Sequence, residues 1–336
     1  MQLPSKQIDK TSNHGLEPLV SIIILNFNGL DYLKRTIDSV FKIDYSNYEV
    51  IIVDNGSTDE SIHYIEKYDN IKLIKNKKNL GFSQGKNIGI DHARGEFILS
   101  IDNDISLTDD QLLNKLLNIY SNEYAFIQVP LLDSNSKVTN DYGIYFSLYG
   151  LHWHKKTVSI DKILNYPEDT IEIAGPTGAF MFFNKHVWDK IGGFDQSQLF
   201  HLDDIDIGPR AYLFGYKNML YTKSFVYNLG SERSRESKIY LDYYKYQFSG
   251  HARSIIKNYN KFNLIFRFPI FVTFQILKTI KYAIKYREIR IAIAFFASIS
   301  VFVRKLNNSF KQRAMLQSKR VVKDDLYLKL KPEIFN

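Results

Sequence analysis

The run Phe97-Ile98-Leu99-Ser100-Ile101 ends abruptly in Asp102-Asn103-Asp104, and this junction constrains the fold more than any other stretch. A strand that is apolar throughout is covered on both faces, as in a parallel sheet. Its carboxyl end opens into the crevice where α/β sheets bind ligands. Residues i and i+2 of an extended chain point the same way. Asp102 and Asp104 can therefore converge on one point, where two hard oxygen ligands suit Mg²⁺ or Mn²⁺. The plain alternative is a turn that opens with solvated acids.

The same rhythm recurs upstream. Leu19 to Leu25 and Val50 to Asp54 read as buried strands, with Leu30, Leu33, Ile37 and Val40 at helical spacing between them. Asn55-Gly56-Ser57-Thr58 is a turn and cap signal. Ser61 to Tyr68 reads as a helix, Ile71 to Ile74 as a third strand and Asn87 to Ala93 as a helix. Repeated β-α-β units predict an α/β fold, with a Rossmann-like, mostly parallel sheet flanked by helices.

Beyond Asp104 the pattern loosens. Leu112, Leu113, Leu116 and Leu117 mark a helix, and Ala125 to Leu131 reads as a strand. Asp133 to Thr170 is irregular. Two short strands flank Gly175-Pro176-Thr177-Gly178, and helix-like His186 to Ile191 leads into Gly192-Gly193-Phe194-Asp195. Asp203 to Phe214 reads as a helix with Asp206 and Arg210 at i,i+4 spacing.

A chain of 336 residues is long enough for one large domain with an appendage. Having no cysteine, it excludes disulfides, thiolate zinc sites and thiol nucleophiles. The net charge of +8 favours anionic partners, and the excess gathers from Lys278 onward. There, Phe262 to Ile284 and Ile291 to Val303 are apolar runs flanked by Lys and Arg and broken by Arg267, Lys278 and Lys281. No run of 18 uncharged apolar residues occurs, so the expectation is a helical extension on a membrane surface, although one tilted span through Phe262 to Ile284 stays open against Arg267 and Pro269. Helices packed on the catalytic part are the plain alternative. Nucleic-acid binding is not expected, because the basic residues mix with long apolar runs. The segment 1–18 reads as a loose polar tail and not a signal peptide, 19–104 as a nucleotide-binding half, 105–235 as an acceptor half and 236–336 as the extension.

Six motifs now stand in order: Val20 to Asn28; Val53-Asp54-Asn55-Gly56-Ser57-Thr58-Asp59; Asn79 to Gly89; Asp102-Asn103-Asp104; Gly192-Gly193-Phe194-Asp195; and Leu202-Asp203-Asp204-Ile205-Asp206 with Arg210. Together they resemble family 2 glycosyltransferases of the GT-A fold, in particular the rhamnosyltransferase-like branch, over Leu19 to Ser231. The resemblance implies an inverting transferase that moves a sugar from a nucleoside diphosphate to a hydroxyl of a glycan or lipid-linked glycan, working peripherally on the cytoplasmic face of a membrane. It implies that Asn26, Asn28 and Asp54 hold the base. An Asp can accept an imide N–H, which favours UDP or dTDP. Turn formation by the asparagines and helix capping by Asp54 remain the alternatives.

The resemblance further implies that Gly81, Gly85 and Asn87 line the donor site, and that Asp102 and Asp104 hold the metal. Asp204 is implied as general base, with Asp203 supporting it and Asp195 and Thr177 on the acceptor side. Arg210 either pairs with Asp206 or reaches the diphosphate. Trp153, His152 and His154 could stack on a sugar or simply pack. Many relatives carry a His where this chain has Asn228, a poorer metal ligand, and His201 is a candidate to compensate. Two rival readings are a nucleotidyltransferase, for which Asn26-Phe27-Asn28 supplies no basic signature, and a degenerate transferase fold serving as an assembly partner.

Overall fold

The computed structural model describes residues 17–134, 136–139, 141–147, 152–153, 157–197, 203–230 and 237–331, with backbone alone for 152–153 and 237–243. The nucleotide-binding half alternates as expected: β1 (Val20–Asn26), α1 (Leu30–Val40), β2 (Tyr48–Asp54), α2 (Ser61–Ile65), β3 (Ile71–Lys75), α3 (Phe82–Asp91) and β4 (Phe97–Asp102). Then follow β5 (Ile105–Leu107), α4 (Leu112–Ile119), β6 (Tyr124–Gln128), β7 (Leu131–Asp133), β8 (Val138–Thr139), β9 (Tyr145–Phe146), β10 (His152–Trp153), β11 (Val158–Ser159) and α5 (Ile160–Leu164). The rest is β12 (Thr170–Ile173), β13 (Phe180–Asn184), α6 (Lys185–Ile191), α7 (Asp204–Leu213), β14 (Lys217–Tyr221), β15 (Val226–Asn228), α8 (Ser237–Asn258), α9 (Lys261–Lys285) and α10 (Arg290–Ser318).

The main sheet has eight strands in the order β12-β14-β6-β13-β4-β1-β2-β3. β4, β1, β2 and β3 run parallel, and β13 enters antiparallel between β4 and β6. Alternation along apolar strands explains why both faces are covered. Ile23, Ile51 and Ile98 face one core with Ile90 of α3, whereas Ile22, Ile24 and Leu99 face the other with Leu33 and Leu112. Each such side chain withdrawn from water contributes about 1.5–3 kcal/mol.

Two sequence expectations shift. Ala125 to Leu131 is not one strand: Pro130 has no N–H for a ladder, so β6 stops at Gln128. β7 then pairs with β15 in a separate sheet ordered β5-β15-β7. Helix α3 begins at Phe82, five residues earlier than its periodicity suggested, because Gly81 takes a positive φ of 84° and turns the chain straight into it.

The C-terminal helices join the first of the two cores. Phe248 and Ala252 of α8, Phe271 of α9 and Phe295 of α10 lie in the same cluster as Phe183 and Trp188. Helices α9 and α10 are long and apolar enough to cross a membrane by length and composition alone. Pro269 lies inside α9 without ending it.

Candidate active site

The residues grouped by the sequence form two stations joined by one turn. The first is the end of β4. Asp102 closes that strand, and its carboxylate lies 3.0 Å from the Lys86 ammonium. Lys86 is fully buried on α3 and also donates to the Ile101 carbonyl at 2.5 Å. Burial lowers the proton affinity of this lysine, opposed by the attraction of Asp102. Asp104, two residues on, has its carboxyl pushed up to about 7, first by burial and then by the neighbouring Asp102 charge. Gly230 leaves room for it: a Cβ there would lie 2.0 Å from Asp104 Oδ2.

The second station is the start of α7. Asp204 is the first residue of that helix, and Gly178 directs its N–H to Asp204 Oδ2 at 3.4 Å. The next residue, Ala179, accepts from the Asp102 N–H at 3.1 Å. Consecutive residues of the Gly175–Ala179 turn thus bond the Asp102 main chain on one side and the Asp204 carboxylate on the other. Asp203 is buried and accepts from Ser83 Oγ of α3 at 2.5 Å. Its carboxyl is pushed up to about 7 by burial and by Asp204, Asp195 and Asp206, against the Ser83 bond. Thr177 lies in the same turn, its N–H on Gln128 Oε1 at 2.7 Å and its hydroxyl buried without a hydrogen-bond partner.

Several residues expected to bind ligand also make contacts that hold the fold. Asn26 and Asp54 are fully buried and bonded to each other at 2.9 Å. Asn26 also accepts from Asn103 at 2.7 Å, and Asp54 accepts from the Gly56 and Ser57 N–H groups. The Asp54 carboxylate thus closes the turn that follows β2. Asn28, exposed with φ of 50°, accepts from the Thr58 N–H at 2.7 Å and remains at the rim. Gly85 serves packing rather than ligand approach, since a Cβ there would lie 2.5 Å from Leu25 Cδ1. Asn87 exchanges two hydrogen bonds with the Phe194 backbone. Gly81 starts α3 and accepts from Asn55 at 3.0 Å.

Arg210 resolves its two alternatives toward pairing. It is buried, bridges Asp206 and donates to the Gly193 carbonyl, so it does not reach out to a diphosphate. Asp195, expected on the acceptor side, sets its carboxylate against α8. Its carboxylate meets Arg253 and Lys257 of α8 at 2.8 Å each, and these cations hold it far below the ordinary carboxylate range. Asn228 ends β15 beside Asp104, whose carbonyl accepts from the Leu229 N–H at 2.7 Å, and its side chain accepts from Gly230. His201 and His154, with the side chains of His152 and Trp153, lie outside the described residues.

The sequence reading passed over Lys86, weighing it only as a phosphate-loop lysine. A signal was present: Ser83, Lys86, Asn87 and Ile90 share the buried face of α3. A lysine on a core-facing stripe needs a carboxylate within reach.

Two adjacent acids, one kept protonated near neutrality by burial and by the other's charge, form a pair that a divalent cation would stabilise. Among the described residues no group of three His, Cys, Asp or Glu side chains is placed to hold a metal. Asp102 and Asp104 stand as two carboxylates beside buried Lys86, a hard-oxygen donor set of the kind that suits Mg²⁺ and Mn²⁺.

A family model described as glycosyl transferase family 2 matches residues 21–192, just over half of the chain. An uncharacterized glycosyltransferase of Haemophilus influenzae is 32% identical over 170 residues, covering 45% of this chain and 66% of that protein. Rhamnosyltransferase WbbL of Escherichia coli K12 is 24% identical over 269 residues, covering 74% of this chain and 99% of WbbL. Mannosyltransferase PcManGT from Pyrobaculum calidifontis, solved with GDP-Man and Mn²⁺, superposes with a TM-score of 0.52 at 14% identity over 94% of this chain and 86% of its own. The chain spans 66%, 28% and 50% of the lengths of three curated relatives that it matches. The shared fold is GT-A.

Proposed function

This chain belongs to glycosyl transferase family 2, and from that premise we propose that it is an inverting glycosyltransferase. It transfers a sugar from a nucleoside diphosphate sugar to a hydroxyl of a glycan or lipid-linked glycan. The observation that carries this reading is the pair of adjacent residues, Gly178 and Ala179, that meet Asp204 and Asp102 respectively.

Asp204 acts as the general base. The acceptor O–H gives its proton to the Asp204 carboxylate while the oxygen attacks the anomeric carbon, and the bond from that carbon to the diphosphate oxygen breaks on the opposite face. Support comes from its place at a helix start, half-buried beside Asp203. Asp102 and Asp104 would hold Mg²⁺ or Mn²⁺, which supplies Lewis-acid relief of the charge on the departing diphosphate. Lys86 sets the position of Asp102. UDP- and dTDP-sugars are the favoured donors. The acceptor is handled at a membrane, on its cytoplasmic face; the two long apolar helices support association with a membrane.

The test is transfer by the purified chain with Mn²⁺ and UDP-, dTDP- and GDP-sugars, beside Asp204→Asn. The expected result is loss of transfer in the variant with donor-induced thermal stabilisation retained. Undiminished turnover in the variant would remove Asp204 from the base role.

A further inference from the structure

Helix α9 is amphipathic the wrong way round for water. Its buried positions, Phe271, Gln275 and Thr279, include two polar side chains. Its outward face is an apolar stripe: Phe262, Phe266, Ile270, Leu277, Ile280 and Ile284 follow at helical spacing and are 46–72% exposed. Ile289, Ile293 and Phe296 prolong the stripe onto the start of α10, each more than 60% exposed. A continuous apolar face of this length marks an interaction surface.

Charge says which surface covers it. Between Lys261 and Lys323 the sequence has a single carboxylate, Glu288, and Arg290 is paired to it. Lys261, Lys281, Lys285 and Arg287 stand exposed at the two ends of α9 and the turn beyond it. An apolar stripe edged by unopposed cations matches the headgroup layer of an anionic bilayer.

Its other face decides between lying on the membrane and crossing it. Phe271 stacks on Phe248 of α8 at 5.6 Å. Helix α8 in turn carries buried Arg253, Lys257 and Asn258, the last donating to Asp206 Oδ1 at 2.8 Å. A spanning helix would have to take these charged neighbours into hydrocarbon, at a cost of several kcal/mol each. Three residues separate Asn258 from Phe262, so four Cα steps span at most about 15 Å. The stripe therefore starts within about 15 Å of the Asn258 that bonds Asp206 of α7.

We infer that the outward face of α9, with the start of α10, seats in the plane of an anionic membrane, and that the acceptor reaching Asp204 is lipid-linked. The acceptor half of this inference rests on the transferase reading above; the membrane half does not.

The experiment is co-sedimentation of the full chain with vesicles of phosphatidylcholine alone and of phosphatidylcholine with phosphatidylglycerol. Binding is expected to the anionic vesicles and to weaken as salt rises. The triple variant Phe262→Ser, Phe266→Ser, Leu277→Ser alters only exposed side chains and is expected to bind at least about tenfold more weakly. Lys281→Glu with Lys285→Glu should abolish the preference for the anionic lipid. Failure to sediment with either vesicle would overturn the inference. So would a dimer that the triple variant dissolves, because a second copy of the chain would then be what covers the stripe. Retention in membranes after alkaline carbonate washing would replace the in-plane arrangement by a spanning one. Faster transfer to a water-soluble glycan than to a lipid-linked one would overturn the acceptor assignment while leaving vesicle binding intact.

Discussion

Lys257 of α8 lies 2.8 Å from Asp206 of α7, with both side chains out of solvent. The same ammonium lies 2.8 Å from Asp195. One cation from the C-terminal helices thus bridges the segment after Gly192-Gly193 and the helix that Asp204 begins. Lys257→Met leaves two buried carboxylates short of a partner. A loss of about 3–5 kcal/mol of unfolding free energy is expected in urea titrations. A variant as stable as the parent would mean that Arg253 and Arg210 hold those acids without help.

Gly230→Ala addresses Asp104. The added Cβ would occupy the place of Oδ2 and turn the carboxylate away. Mn²⁺ affinity by calorimetry is expected to fall about ten- to a hundredfold. The melting temperature should barely move, since the displaced atom ends a side chain. Unaltered affinity would count against Asp104 as a ligand.

Gly85→Ala separates packing from donor recognition. The clash with Leu25 Cδ1 at 2.5 Å should destabilise the fold by about 1–3 kcal/mol. Donor affinity of the folded fraction should stay at the parent value. If affinity fell and stability did not, Gly85 would belong to the donor site after all.

Asp203 should leave a mark on the pH profile. The folded chain keeps a proton on this carboxyl up to about 7, whereas the unfolded chain releases it near about 4. Between those values the folded state binds more protons, so stability falls as pH rises and levels off above about 7. Asp203→Asn cannot titrate and should show a shallower fall than the parent. Denaturant unfolding across that range reads the difference, and parallel slopes would refute the assignment.

Much of the scaffold could be read from the chain because its signals are local. The apolar runs of β1, β2 and β4 require cover on both faces, and the acids after Ile101 require an exit from the sheet. The relation of Asp206 to Arg210 was visible as a one-turn spacing. What stayed hidden depended on partners far along the chain. Asp195 reads as an acceptor-side acid, and nothing local announces that Arg253 and Lys257, some 60 residues later, close on it. Asn87 looks like a ligand donor until the Phe194 backbone, 107 residues away, uses both ends of its amide. Asp54 shows the opposite case: its partners Gly56 and Ser57 are near neighbours that take its carboxylate locally.

The contacts of Gly178 and Ala179 carry a consequence for how such a centre can vary. Neighbouring α-carbons are about 3.8 Å apart whatever the side chains do. The Asp102 main chain and the Asp204 carboxylate are therefore held to neighbouring residues of one turn, joined by a single peptide unit. Substitutions in the segments between β7 and β12 or along α9 leave that one-peptide link untouched.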